Sequence, residues 1–282
     1  MDFLDTIITS LIYLALCFVL FVIGKLAFRL FHRDVNVREE LVEHDNLAFA
    51  IAHVGYFIGI LLAIGSAIVG PSHGLVQDII DISIYGLLAI LLLNLSLIIN
   101  DKVILRRFSI REEISGKQNV AVGIAEAGIA VATGLILMGS VSGEGGSILT
   151  ALAFWAIGQV LLIVIALFYN VINRFDLHDQ LASANVAIGI AFGGALIAMA
   201  NLIRYGLSGE FETWQETLTA VGIEIAAGLV FLPVVRLVAD KMLLPGQNLT
   251  DELVNQEKPN IGAAFVEAFA YVGGSVLITW SI

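Results

Sequence analysis

The sequence predicts an all-α, polytopic membrane protein with eight transmembrane helices. Three observations lead there. Hydrophobic residues make up 59% of the 282 positions and charged residues only 14%, with a mean hydropathy of +0.94. Apolar runs of about 20 residues recur along the chain, the length an α-helix needs to cross a hydrocarbon core of roughly 30 Å. Nothing alternates polar and apolar over about 10 residues, as barrel strands do, so the backbone must satisfy itself within helices.

The runs place spans at 7–31, 46–69, 79–100, 119–140, 148–172, 185–206, 216–238 and 261–280. The first is expected to be a true span rather than a cleavable signal. It follows Asp2 and Asp5, lacks a basic leader and is too long for a signal core. The only cysteine, Cys17, lies inside it, so there is no disulfide framework. The remaining spans alternate with short connectors of two kinds, and charge separates them.

Connectors after spans one, three, five and seven, with the adjoining helix ends, hold Arg29, Arg33, Arg38, Lys102, Arg106, Arg107, Arg111, Lys117, Arg174, Lys241 and Lys258. Lys25 and Arg236 lie within spans and are expected to snorkel to that side. The other side carries only Arg204, beside Asp78, Asp81, Glu144, Glu210, Glu212 and Glu216. Positive residues stay cytoplasmic, so the basic connectors are expected to face the cytosol and both termini to lie outside.

The four basic-side connectors share one grammar: NVREEL from Asn36, SIREEI from Ser109, DLHDQL from Asp176 and NLTDEL from Asn248. An N-cap residue type, an acid three positions later and then an apolar residue predict a short capped helix on the membrane surface. Each following span begins with asparagine: Asn46, Asn119, Asn185 and Asn260. The segments DKVILRRFSIREEI from Asp101 and DKMLLPGQNLTDEL from Asp240 align without a gap, so hairpins two and four are the closer pair. The chain is therefore expected to be two parallel four-helix repeats, 1–141 and 142–282, built from four related helical hairpins.

On the four Asn-led helices and the capped connectors, the chain resembles the YjfL-like bacterial inner-membrane family. Its four-span units, some in tandem, have about this length and small-residue-rich helices. The resemblance implies the architecture and a bacterial inner-membrane location, and it implies no mechanism.

The position seven residues after each leading asparagine reads His53, Glu126, Phe192 and Glu267. Three ionisable groups are thus expected at one depth, about 10 Å in from the basic side at 1.5 Å per residue. A neighbouring stripe of small residues, Ala121, Ala125, Gly128 and Ala132 in the second such helix, predicts close helix packing. The ionisable face should therefore point into the bundle. Phe192 interrupts the set, so a symmetric four-ligand cation site is not expected. Glu224 in span seven is a further intramembrane acid, nearer the outer face.

Intramembrane acids cost at least about 2.5–3.5 kcal/mol and mark function by default. The alternative is structural: a protonated glutamate hydrogen-bonded to a neighbouring helix, with His53 as filler. The four asparagines are expected to cap helices. Gln159 and Asn94 should be interhelical hydrogen-bond glue, and Asp78 and Asp81 a solvated pair at a loop end. There is no phosphate-binding glycine loop, no paired-cysteine metal pattern and no HExxH, and the histidines lack metal-ligand spacing. No enzyme activity, cofactor or resident metal is therefore expected, and acids interleaved among the basic residues argue against nucleic acid.

Two functions remain open. One is a cation or proton channel or transporter, with Glu126 and Glu267 exchanging the ion and His53 modulating. The other is a non-transporting scaffold whose connectors, at Glu39, Glu112, Asp179 and Asp251, recruit a soluble cytosolic partner. The small-residue stripes could equally join copies of the chain in a homo-oligomer.

Overall fold

The computed structural model describes residues 3–33, 35–69, 72–142, 146–173, 175–243 and 248–281. Asp2, Glu144 and Arg174, three of the charges named above, lie outside them, as do Gly143 and Gly145. All regular structure in the described residues is helical: α1 (Phe3–Phe31), α2 (Leu47–Val69), α3 (Leu75–Val103), α4 (Val120–Val141), α5 (Ile148–Ile172), α6 (Leu177–Ala182), α7 (Val186–Leu207), α8 (Trp214–Leu243), α9 (Leu249–Val254) and α10 (Ile261–Ser281). Single π-helical turns occupy Glu39–Glu43 and Glu112–Gly116. Among the described residues, eight helices are long and apolar enough to cross a membrane.

These eight form two layers. The Asn-led helices make an inner row in which α2 packs on α4, α4 on α7 and α7 on α10. The outer helices α1, α3, α5 and α8 each lie against the inner helix of their own hairpin. Burial is greatest at the centre of the row: 83% of the apolar stretch of α7 and 67% of that of α4 are buried, against 11% for α1.

The row is held by a contact that repeats with the hairpins. The ninth residue after one leading asparagine meets the eighth after the next: Gly55 on Ala127, Gly128 on Gly193 and Gly194 on Ala268. A methyl group built on Gly128 would fall 2.5 Å from the Gly193 Cα, and one on Gly194 2.6 Å from the Ala268 Cβ. With no hydrophobic force between helices in lipid, such backbone approach supplies the packing energy. The same positions end the row. On α10 the ninth residue is Phe269, 69% exposed, and on α2 the eighth is Val54, 56% exposed. The small residues of α2, α4 and α7 thus meet one another along the row.

The connectors are capped as their sequences predict. Asn36 accepts from the Arg38 and Glu39 amides, Asp176 from those of His178 and Asp179, and Asn248 from those of Thr250 and Asp251. The backbone then turns through a left-handed residue, Asp45, Gln118 or Ala184 (φ 46°, 51° and 59°), directly before Asn46, Asn119 and Asn185. Proline at 259 forbids that conformation before Asn260, and the fourth connector is longer.

Candidate functional site

The leading asparagines do more than cap. Each side-chain oxygen accepts an amide of its own helix: Phe49 for Asn46, Ala121 and Val122 for Asn119, Ile188 for Asn185, Ala263 for Asn260. Each Nδ2 donates to the residue four after the connector cap: Glu40, Glu113, Gln180 and Glu252. In three cases Nδ2 also donates to a carbonyl of the next connector: Asn46 to Ile114 at 2.8 Å, Asn119 to Leu181 at 2.8 Å and Asn185 to Leu253 at 2.9 Å. The four connectors are therefore chained together on the basic face. Burial opposes charge on Glu113, yet Lys117 and Asn119 hold its carboxyl below the usual range.

The ionisable residues do not converge. Each turns from the inner row towards the outer helix of its own hairpin. His53 packs edge-on to Phe28 of α1 with ring centroids 4.5 Å apart, and Phe192 meets Tyr169 of α5 at 5.3 Å. Glu126 meets Asp101 of α3, and Glu267 meets Arg236 of α8. Hairpins one and three thus fill the position with aromatic pairs, and hairpins two and four with charge.

In the first half, α3 arrives at the basic face where α4 leaves it, which brings Asp101 level with Glu126. Their carboxyl groups lie within hydrogen-bonding reach of each other. Two neighbouring carboxyl groups shielded from solvent favour a shared proton or a cation, because like charges at close range repel. Asp101 Oδ1 and Glu126 Oε2 are shielded from solvent and have no hydrogen-bond partner. Glu126 is half-buried and lines a cavity of about 280 Å³. The cavity extends to the basic face at His32, Lys102, Arg111 and Ser115. Its other wall is aromatic, with Phe28, Phe49, His53 and Tyr56. His53 is 7% exposed, and its Nδ1 lacks a hydrogen-bond partner.

The second half has a related arrangement with a different occupant. Glu267, 1% exposed, accepts from Arg236 Nε at 2.5 Å, and Arg236 Nη2 donates to Thr250 at 3.0 Å. Tyr271, Tyr169 and Asp240 lie within electrostatic reach. Arg236 does not simply snorkel to the surface, because a buried carboxylate captures it. It also forms part of the wall of a second cavity, about 440 Å³, with Asn248, Thr250 and Asp251.

The other expected positions fall elsewhere. Glu224 is buried on α8 with Oε2 unpartnered, twelve residues from Arg236 and so about 18 Å along the helix. Gln159 accepts from Asn100 at 3.3 Å, and Asn94 donates to Tyr56 at 3.1 Å, both joining helices as expected. Asp78 is not solvated. It is buried, and it accepts from the Tyr13 and Ser72 hydroxyls and the His73 amide. Among the described residues, no group of three or more His, Cys, Asp or Glu could hold a metal ion.

Asp101 and Arg236 were missed as site residues, although the gapless DK alignment carried the signal. Extended four residues back, it sets Leu97 opposite Arg236, and it marks Asp101 as the partner-side acid of a hairpin whose Glu126 had already been singled out.

Comparison with known proteins follows these repeats. A family model described as Domain of Unknown Function (DUF350) matches twice, over residues 2–141 and 145–282. The chain belongs to this family. It is also similar to a UPF0719 transmembrane protein of Aquifex aeolicus (strain VF5), 24% identical over 185 residues, covering 64% of this chain and 66% of that protein. No solved structure matches. Two family copies in one chain account for the paired cavities. They also make the difference between Leu97 and Arg236 a divergence between copies of one unit.

Proposed function

We propose that this protein is a membrane transporter of protons or monovalent cations, exchanged at the carboxyl pair of Asp101 and Glu126. One observation carries it: two carboxyl groups within reach of each other, each with an unpartnered oxygen, lining one cavity that extends to the basic face. Such a pair takes up one positive charge and releases it without leaving a neutral helix interior exposed to a lone ion. His53, whose Nδ1 has no hydrogen-bond partner in the same cavity, is the group placed to modulate the pair. The distribution of Lys and Arg supports a cytosolic basic face and an inner-membrane location. Glu267 is not an exchanging group in this scheme, since Arg236 already neutralises it.

The test is flux into proteoliposomes under imposed H⁺, K⁺ or Na⁺ gradients, wild type beside Glu126→Gln and Asp101→Asn. Flux above empty liposomes that both variants abolish supports the proposal. Absence of flux for every ion in well-folded wild type refutes it. A second reading, a scaffold that recruits a soluble partner, is favoured by exposed connector acids such as Asp179, whose side chain is 80% accessible. It is distinguished by function that survives Glu126→Gln and is lost on altering Glu39, Glu112, Asp179 and Asp251.

A further inference from the structure

The two halves meet the same requirement with different parts. Glu126 and Glu267 each stand seven residues after a leading asparagine, and Asp101 and Asp240 each open a DK segment. Four residues before those aspartates stand Leu97 and Arg236. In the second half the guanidinium of Arg236 bridges Glu267 and Thr250. In the first half the matching side chain is apolar, Leu97 forms part of the cavity wall, and the space beside the acids is open. Asp101 Oδ1 and Glu126 Oε2, both shielded from solvent there, have no hydrogen-bond partner.

What surrounds that space suits one chemistry. A planar fork of N–H donors matches carboxylate oxygens better than a spherical ion does. Aromatic rings attract a delocalised, weakly hydrated cation, and Phe28, Phe49 and Tyr56 line the cavity. His53 adds an independent sign of a missing ligand, a nine-tenths buried ring whose Nδ1 has no partner in a cavity wall.

We propose that the cavity beside Asp101 and Glu126 binds a guanidinium-type organic cation, in the position that the Arg236 side chain fills in the second half of the chain. Such a cation is the ligand of the exchange site proposed above, so its transport rests on that reading while its binding does not. Arg236 is then the built-in counterpart of a ligand that the first half takes from solution.

The experiment is calorimetric titration of the purified full chain in detergent with methylguanidinium chloride, against tetramethylammonium and potassium chlorides. The expected result is saturable binding of methylguanidinium alone, weakened roughly tenfold or more by Glu126→Gln and abolished by Leu97→Arg, which installs the internal cation. Should Leu97→Arg fail to fold, Glu126→Gln and Asp101→Asn carry the test. Equal binding of tetramethylammonium, no binding in wild type, or methylguanidinium binding unaffected by every variant overturns the proposal. Glu126-dependent H⁺ or K⁺ flux without guanidinium binding refutes this ligand and leaves transport standing. Guanidinium binding without flux of any cation refutes transport and leaves the site.

Discussion

Asn119 reaches across a connector boundary to the carbonyl of Leu181, 62 residues further along the chain. The same side chain caps α4 and holds Glu113. Three functions in one buried amide make it costly to remove. Losing the cap costs about 1 kcal/mol, and stranding the Leu181 carbonyl and Glu113 adds about 1–3 kcal/mol. Asn119→Ala should therefore destabilise by roughly 2–4 kcal/mol. Asn260→Ala breaks no link to a following connector and should cost about half as much. Thermal unfolding midpoints in detergent, followed by tryptophan fluorescence, compare the two directly. Equal losses would mean that the links between connectors contribute nothing.

The meeting of Gly128 and Gly193 is asymmetric, and two single-methyl changes test it. A methyl on Gly128 would press on the Gly193 Cα at 2.5 Å, whereas one on Gly193 has its nearest neighbours at 3.5 Å. Gly128→Ala should therefore overpack the α4–α7 seam and cost about 1–3 kcal/mol. Gly193→Ala should be neutral or stabilise by up to about 1 kcal/mol, because alanine is the better helix former. The reverse order of stability would show that the row packs differently.

How much of this was legible in the sequence depends on where each signal lay. The asparagines were readable because an N-cap oxygen has few other uses at a helix start, and the repeats named all four. The small stripe was readable because backbone approach demands glycine or alanine on both helices. The site was half-readable. Glu126 stood out in an apolar run, but Asp101 closes a span, where a charge is ordinary. Arg236 was read only as a snorkelling cation, because Glu267 and Arg236 are brought together by the hairpin and not by spacing. Asp78 was likewise misread, since its partner Tyr13 comes from a different hairpin arm.

Ala184 holds φ at 59° with its methyl group exposed. Left-handed backbone costs an L-residue about 1–2 kcal/mol, and this methyl is too exposed to recover much by packing. Ala184→Gly should relieve that cost less an entropy penalty of about 0.5–1 kcal/mol, a net gain of up to about 1 kcal/mol. Ala184→Val, with a branched side chain at the same φ, should lose stability. The unfolding midpoints of the two variants should fall on opposite sides of wild type.

His178 makes stability depend on pH in a direction that can be worked out. Its Nε2 lies 2.9 Å from the carbonyl of Ile104, which only accepts, so Nε2 carries the proton of the neutral ring. Nδ1 has no hydrogen-bond partner; Asp176 stands 3.8 Å from it. Burial, foremost, holds the imidazole below the ordinary histidine range; Arg107 and Arg106 act the same way, against the Ile104 bond and Asp176. A depressed folded value means that the unfolded chain binds more protons in the window between the two. The contribution of His178 is therefore full above about 6.5, the unperturbed histidine value, and is lost as pH falls from there towards the folded value. Unfolding midpoints of wild type measured between pH 8 and 5 should fall more steeply than those of His178→Gln, whose amide keeps a donor for Ile104 but does not titrate. Parallel curves would show that this histidine does not couple the third connector to α3 through its protonation.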